Sequence, residues 1–354
     1  MAAIQPIVTP AWVVGLFMTF GVLFVPLGAW LRLKNGKVVE LEQRYEGAGK
    51  TVDCSISASN EGRKCQVTFT VDEDMAGPIY VYYELRKFYQ NHRSYVKSRS
   101  FDQLAGGVPS ADSCSPLELS DAADPLQLSP CGLVANSFFN DVIVVSDAPD
   151  PYDPLSPFTY MDESGISWVS DRDGDFAQPD DFVGKQCAVS DTCDNCLGSS
   201  SYSNCGSYTD ERTAGASYKY WYPDDSSTQY LYENYPDTIS PVQGVEDEHF
   251  IVWMRTAALS TFRNLYGRIE HDLEAADSIT FNVTANFHVA DFGGTKSLIL
   301  TTLSSVGTQN GVLGGAFMAV GGACLAAGLV VLSKFQSHPR EVADTEFLKL
   351  HGGQ

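Results

Sequence analysis

Charge is missing from two stretches of this sequence. Met1–Leu31 holds no Asp, Glu, Lys or Arg, and neither does Ser297–Ser333. Soluble helices seldom run so far uncharged, whereas about 20 apolar residues rising roughly 1.5 Å each cross a hydrocarbon core of about 30 Å. The apolar runs Trp12–Leu31 and Val312–Leu332 therefore read as two membrane spans. A basic n-region and a small-residue cleavage site are lacking around the first run, so it is expected to be retained rather than removed as a signal peptide. Positive charge is also scarce: 23 Lys and Arg stand against 44 Asp and Glu, for a net charge of −21. After the second span Lys334, Arg340 and Lys349 cancel Glu341, Asp344 and Glu346, so the whole balance lies between the spans. Such acidity argues against a nucleic-acid partner.

Signatures of chemistry are sparse as well. The six histidines form no triad and no metal-ligand spacing, and no glycine-rich phosphate loop precedes a helix. Cys193-x-x-Cys196 has no second CxxC to complete a zinc site. Asp171-Arg-Asp-Gly-Asp175 places carboxylates at alternate positions like the start of a calcium loop. Phe176 occupies the sixth position, where that loop needs glycine, so the stretch reads as an acidic turn between strands. No catalytic residue, metal ligand or cofactor is assigned.

What is present points to a membrane-anchored, disulfide-stapled body. Eight of nine cysteines lie between the spans: Cys54, Cys65, Cys114, Cys131, Cys187, Cys193, Cys196 and Cys205. An even count suits disulfides in an oxidising compartment. Arg32, Lys34 and Lys37 follow span one and oppose the positive-inside rule, but thiols in a reducing cytosol would not pair. The cysteines thus place the central region in the lumen and both termini in the cytosol. Among the last four cysteines three pairings are possible, and an outer Cys187–Cys205 bridge is favoured. Span two is rich in small residues. Gly311 and Gly315 make a GxxxG step, and Gly322 with Ala326 a similar one, which suits close packing on a partner's helix in lipid.

Between the spans, Gln66–Val71 and Ile279–Thr284 alternate apolar and polar residues as half-buried strands do, and Gly77–Leu85 is β-branched and aromatic. Val142–Val145 is apolar, and Asp147–Phe158, with four prolines, reads as a loop. Phe250, Trp253, Met254, Ala257, Thr261 and Leu265 share a helical face, predicting a helix over 250–265. Arg86, Lys87, Arg93, Lys97 and Arg99 interleave with Phe88, Tyr89 and Tyr95. This patch either pairs with internal carboxylates or docks an acidic loop of a partner. Asn282-Val-Thr284 is the one N-x-S/T sequon, and the alternation turns it to solvent, making Asn282 the candidate glycosylation site. The expected layout is a short tail (1–10), a span (11–32), a β-rich lumenal or extracellular domain (33–308), a second span (309–333) and a second tail (334–354).

Several stretches resemble one family. They are Pro10-Ala-Trp12 leading into span one and its exit Phe24-Val-Pro-Leu-Gly28, then Gly77–Leu85, Phe88–Arg93 and Tyr95–Arg99. Further on come Pro130-Cys-Gly132 through Ala135-Asn-Ser137 to Phe139-Asn-Asp141. The last are His249–Ala258, Phe262-Arg263, Leu265–Arg268 and Phe292-Gly-Gly-Thr-Lys296. In this order they resemble the accessory (beta) subunits of type IV P-type ATPases, the phospholipid flippases: two-span glycoproteins of the cell-division-control/ligand-effect-modulator type. The resemblance implies two transmembrane helices flanking a mainly antiparallel-β domain with disulfides and a few short helices. It also implies Cys54–Cys65 and Cys114–Cys131 pairing, membrane lipids as surroundings, and a heterodimer with an ATPase that carries the catalysis. The implied role is to fold that ATPase, export it from the endoplasmic reticulum and support its transport cycle. The destination would be a secretory-pathway membrane, from endoplasmic reticulum and Golgi to endosome or plasma membrane. Two departures stand out: Asn140-Asp-Val142 is not a sequon, and the Cys187–Cys205 segment looks like an insertion. The alternative is a two-span ligand-gated channel subunit with a cysteine-rich ectodomain, but glycine and alanine in span two suit packing better than a pore lining.

Overall fold

The computed structural model describes residues 9–57, 59–107, 114–146, 161–210, 216–223, 226–304, 307 and 311–338. The elements in chain order are α1 (Pro10–Asn35), β1 (Glu40–Glu46), β2 (Arg63–Thr70), β3 (Ile79–Arg86), α2 (Arg93–Lys97), α3 (Phe101–Leu104), β4 (Gln127–Ser129), β5 (Val142–Val145) and β6 (Met161–Asp162). They continue with α4 (Val169–Gly174), β7 (Val183–Gln186), α5 (Cys193–Leu197), β8 (Gly206–Asp210), β9 (Ala216–Trp221), β10 (Thr228–Tyr230), α6 (Leu231–Asn234), α7 (Glu248–Met254), β11 (Thr261–Ile269), β12 (Ser278–Ala285), β13 (Thr295–Thr301) and α8 (Gly311–Ser337). The Asp147–Phe158 loop falls outside the described residues. The chain divides into two compact units, 1–40 with 302–354, and 41–301.

The first unit is the helix pair α1 and α8, of 26 and 27 residues. Thr9 caps α1, its hydroxyl accepting from Trp12 N–H at 3.4 Å, and Pro10 occupies the first turn, where its missing N–H costs nothing. Glycines at seven-residue spacing join the helices: Gly21 and Gly28 on α1, Gly314, Gly321 and Gly328 on α8. Seven residues are nearly two turns, so each set forms one stripe. A Cβ on Gly28 would lie 2.6 Å from the Gly314 carbonyl oxygen, and one on Gly321 would lie 2.9 Å from Val25 N. Only backbone-to-backbone approach allows this, and in lipid such close van der Waals contact holds helices together. Phe24 and Phe317 meet edge to face at 5.3 Å beside the seam. Outward, Trp12, Val22 and Leu23 of α1 and Val312, Val320 and Val330 of α8 stay exposed, as lipid-facing residues must.

The second unit is built from sheets. The largest runs β1-β13-β3-β11-β6, with β3 antiparallel to both β13 and β11, and β11 antiparallel to β6. A three-stranded antiparallel sheet runs β2-β12-β5, and another runs β7-β9-β8; β4 and β10 pair in parallel. The alternation seen in sequence sets the faces. Val67 and Phe69 of β2 and Ile279, Phe281 and Val283 of β12 are buried, and Phe69 meets Phe281 edge to face at 5.9 Å. Phe88 sits among Tyr95, Trp253, Phe262, Phe287 and Phe292.

The most consequential buried group is Lys296 on β13, fully inaccessible. Its Nζ lies 2.8 Å from both Glu46 Oε2 and Asp141 Oδ2 and donates to the Phe287 carbonyl at 2.7 Å. Asp141 also accepts from the Tyr45 hydroxyl at 2.9 Å and from the backbone N–H groups of Asn286 and Phe287. The cluster therefore ties β1, β13, the segment before β5 and the segment after β12.

Three expectations are corrected. The helix predicted over 250–265 ends at Met254: Arg255 leaves helical geometry (ψ 90°), and Thr261–Ile269 pairs with β3 from Arg86 to Ile79. The helical period is met by Phe250, Trp253 and Met254 alone. Asp171–Asp175 is not a turn between strands, because residues 171–174 belong to α4. The Cys187–Cys205 bridge is replaced by Cys187–Cys196 and Cys193–Cys205. Cys187 follows β7 and Cys205 precedes β8, on opposite edges of β9. Two strand spacings, about 9.6 Å, exceed the roughly 7 Å that a disulfide spans between Cα atoms. α5 instead presents Cys193 and Cys196 three residues apart, one toward each edge strand. Cys54–Cys65 and Cys114–Cys131 close the other two bridges.

Two outcomes test these assignments. Gly28→Leu should separate the helix pair, read as loss of disulfide trapping between cysteines placed on α1 and α8; Gly15→Leu should leave it intact, since a Cβ there meets nothing within 4 Å. Lys296→Met should destabilise the domain by about 3–5 kcal/mol by leaving Glu46 and Asp141 buried without their cation, seen as a lowered unfolding midpoint of the detergent-solubilised chain.

Candidate partner-docking face

The basic-aromatic stretch begins where β3 ends. Leu85–Phe101 contains five cations and no carboxylate. Alternate residues anchor it inward. Phe88 enters the aromatic cluster, and Gln90, fully buried, accepts from Ala257 N–H at 2.7 Å. The Ser98 hydroxyl donates to the Cys114 carbonyl at 2.9 Å and accepts from Leu133 N–H at 2.9 Å. Close packing behind Ser98 needs Gly132, whose positive φ of 103° and contact with the Ser98 carbonyl leave no room for a side chain. Tyr95 bonds the Ser137 hydroxyl at 2.8 Å, and burial pushes its phenol pKa up. With these residues pointing in, Lys87, Tyr89, Arg93, Lys97 and Phe101 are left pointing out, Tyr89 and Phe101 more than 60% exposed.

Internal pairing accounts for only part of the patch. Arg86 pairs with Glu84 and Glu42. Among the described residues no carboxylate pairs with Lys87, Arg93 or Lys97, so the outer cations face solvent.

Next to it, α4 packs on α7. Arg255 binds both oxygens of Asp171, Nη2 to Oδ1 at 2.7 Å and Nε to Oδ2, and stacks over Trp168 at 4.8 Å. The Arg255 hydrogen bond holds the Asp171 carboxyl below its ordinary range. Among the described residues no three His, Cys, Asp or Glu side chains are grouped to hold a metal.

The small-residue faces of α8 separate cleanly. Gly314, Gly321 and Gly328 are spent on α1. A Cβ on Gly311, Gly315 or Gly322 would meet nothing within 4 Å, and Ala326 is exposed. The GxxxG steps thus lie outside the intramolecular seam, on a second stripe. Sequence reading missed the first stripe, although matched seven-residue glycine spacing in both spans was there to be read. Asn282 lies mid-strand on the solvent face of β12, between Gln66 and Val144 in register, and accepts from Gln66 Nε2 at 3.1 Å.

Residues 31–341 match the family described as LEM3 (ligand-effect modulator 3) family / CDC50 family. The chain belongs to the CDC50 family. ALA-interacting subunit 3 of Arabidopsis thaliana is 32% identical, the match spanning 98% of this chain and 87% of that protein. Cell cycle control protein 50B of Homo sapiens is 33% identical, over 98% of this chain and 93% of that protein. Among the residues that carry the CDC50 resemblance, Asp141 and Lys296 meet in the buried ion cluster, and the Trp253 indole donates to the Val134 carbonyl at 2.8 Å. Those stretches build the core as well as the outward face.

Proposed function

We propose that this chain is the non-catalytic accessory subunit of a phospholipid-translocating type IV P-type ATPase, supporting its folding, its export from the endoplasmic reticulum and its transport cycle. Membership of the CDC50 family over nearly the whole chain carries this reading. The ATPase supplies nucleotide hydrolysis and the lipid path. The β-rich domain lies on the lumenal or extracellular side, where its four disulfides persist, and both termini lie in the cytosol.

Two surfaces support the partnership. The second small-residue stripe of α8, Gly311, Gly315, Gly322 and Ala326, packs on a helix of the pump. The outer cations Lys87, Arg93 and Lys97 steer an acidic loop of the pump onto the domain. Asn282 carries the N-linked glycan on the polar face of β12.

Co-purification tests the assembly. The tagged full chain should bring down a stoichiometric P-type ATPase, whereas a homotrimer purified alone would favour the channel alternative. Gly315→Leu combined with Gly322→Leu should sharply reduce the recovered ATPase while the α1–α8 packing through Gly21 and Gly28 persists. Lys87→Gln, Arg93→Gln and Lys97→Gln together should slow association and flatten its salt dependence, because rim charges act mainly on encounter rate. Asn282→Gln should remove a glycosidase-sensitive shift in gel mobility.

A further inference from the structure

Beside the basic-aromatic face lies a recess of about 330 Å³, lined among others by Arg99, Phe101, Leu104, Phe176, Met254 and Arg255. Its two arginines differ. Arg255 is neutralised by Asp171, with exposed Asp175 close by. Arg99 has no such partner. Its Nη1 donates to the Met254 carbonyl at 3.0 Å, its Nε is buried without a hydrogen bond, and no carboxylate among the described residues pairs with it. Burial lowers its pKa, as expected for a cation stripped of water with no anion in exchange. The guanidinium lies 4.6 Å from the ring centre of Phe101, which is itself 63% exposed, and Trp168 under Arg255 is 65% exposed.

A half-buried cation with one carbonyl partner, walled by apolar side chains and rimmed by exposed aromatics, has the make-up of an interface hot spot awaiting its counter-charge. The charge of the occupant follows from the neighbours. Asp171 and Asp175 share the recess with Arg99 and Arg255, so its charges already cancel, and a doubly charged phosphate would meet more repulsion than a single carboxylate seated directly on Arg99, which pairs with neither aspartate. The apolar rim suits a protein side chain with aliphatic or aromatic neighbours.

We propose that this recess is the anchor point for an acidic side chain on an exoplasmic loop of the partner ATPase, whose carboxylate pairs with the Arg99 guanidinium where it lines the recess, while residues flanking it pack on Phe101 and Trp168. The proposal rests on the accessory-subunit reading and names the contact that holds the loop once the outer cations have steered it in.

The experiment uses the full chain co-expressed with its pump. If the wild-type chain recovers no P-type ATPase, the accessory reading falls and the anchor with it. Given wild-type recovery, Arg99→Gln should weaken the complex at least about tenfold through faster dissociation, the signature of truncating a desolvated charge pair, and Arg99→Lys should restore it in part. A photo-crosslinking p-benzoylphenylalanine in place of Phe101 should label an exoplasmic-loop peptide of the pump containing Asp or Glu, and it decides the matter even if Arg99→Gln fails to fold. Unchanged binding of a folded Arg99→Gln variant would overturn the anchor while leaving the accessory role standing. So would a crosslink confined to a peptide without an acidic residue. Inorganic phosphate alone raising the unfolding midpoint of the free wild-type chain, but not of Arg99→Gln, would make the recess a phosphate site and end the proposal.

Discussion

A single lysine ammonium, with no access to water, sets the frame of the β-rich unit. Lys296 cannot be left without anions in that interior, and Glu46 and Asp141 cannot be left without a cation. The three groups come from distant parts of the chain, and Tyr45 and two backbone N–H groups fill the remaining acceptor sites of Asp141. Hydrophobic burial alone would tolerate many packings of these strands. A polar cluster that is satisfied in one arrangement and heavily penalised in others narrows them to one.

The helix pair solves a different problem. Water is absent from a bilayer core, so apolar burial does not draw helices together there. Gly21 and Gly28 against Gly314, Gly321 and Gly328 let the backbones touch, and that contact replaces the missing hydrophobic drive. With one stripe spent inside the pair, the GxxxG stripe nearly a third of a turn away is free for another helix. The β-rich unit shows a comparable division: Phe88, Gln90, Ser98 and Tyr95 hold the basic stretch from within, and Lys87, Arg93 and Lys97 are left outside.

Much of this was legible beforehand because it depends on local chemistry. Uncharged runs announce spans wherever they fold. Alternation in Gln66–Val71 and Ile279–Thr284 announces half-buried strands, and β2 and β12 pair across that very pattern. Phe250–Leu265 misled because a helical period extended by chance past Met254 into residues that β3 claims as a strand partner. The pairing of Cys187, Cys193, Cys196 and Cys205 was illegible for a related reason: β9 stands between the two outer cysteines, and strand order is a long-range property.

The amino-acid sequence by itself determined the two spans, the disulfide-bearing acidic region between them and the family likeness, since each follows from composition, spacing or motif within short windows. Tertiary structure alone decided which glycines serve the internal seam, which cysteines meet, and which arginine finds a carboxylate. Arg255 and Arg99 look alike in the chain; one faces Asp171 on α4 and the other faces a carbonyl, because counter-charges are assigned by three-dimensional proximity and burial, neither of which is written in local order.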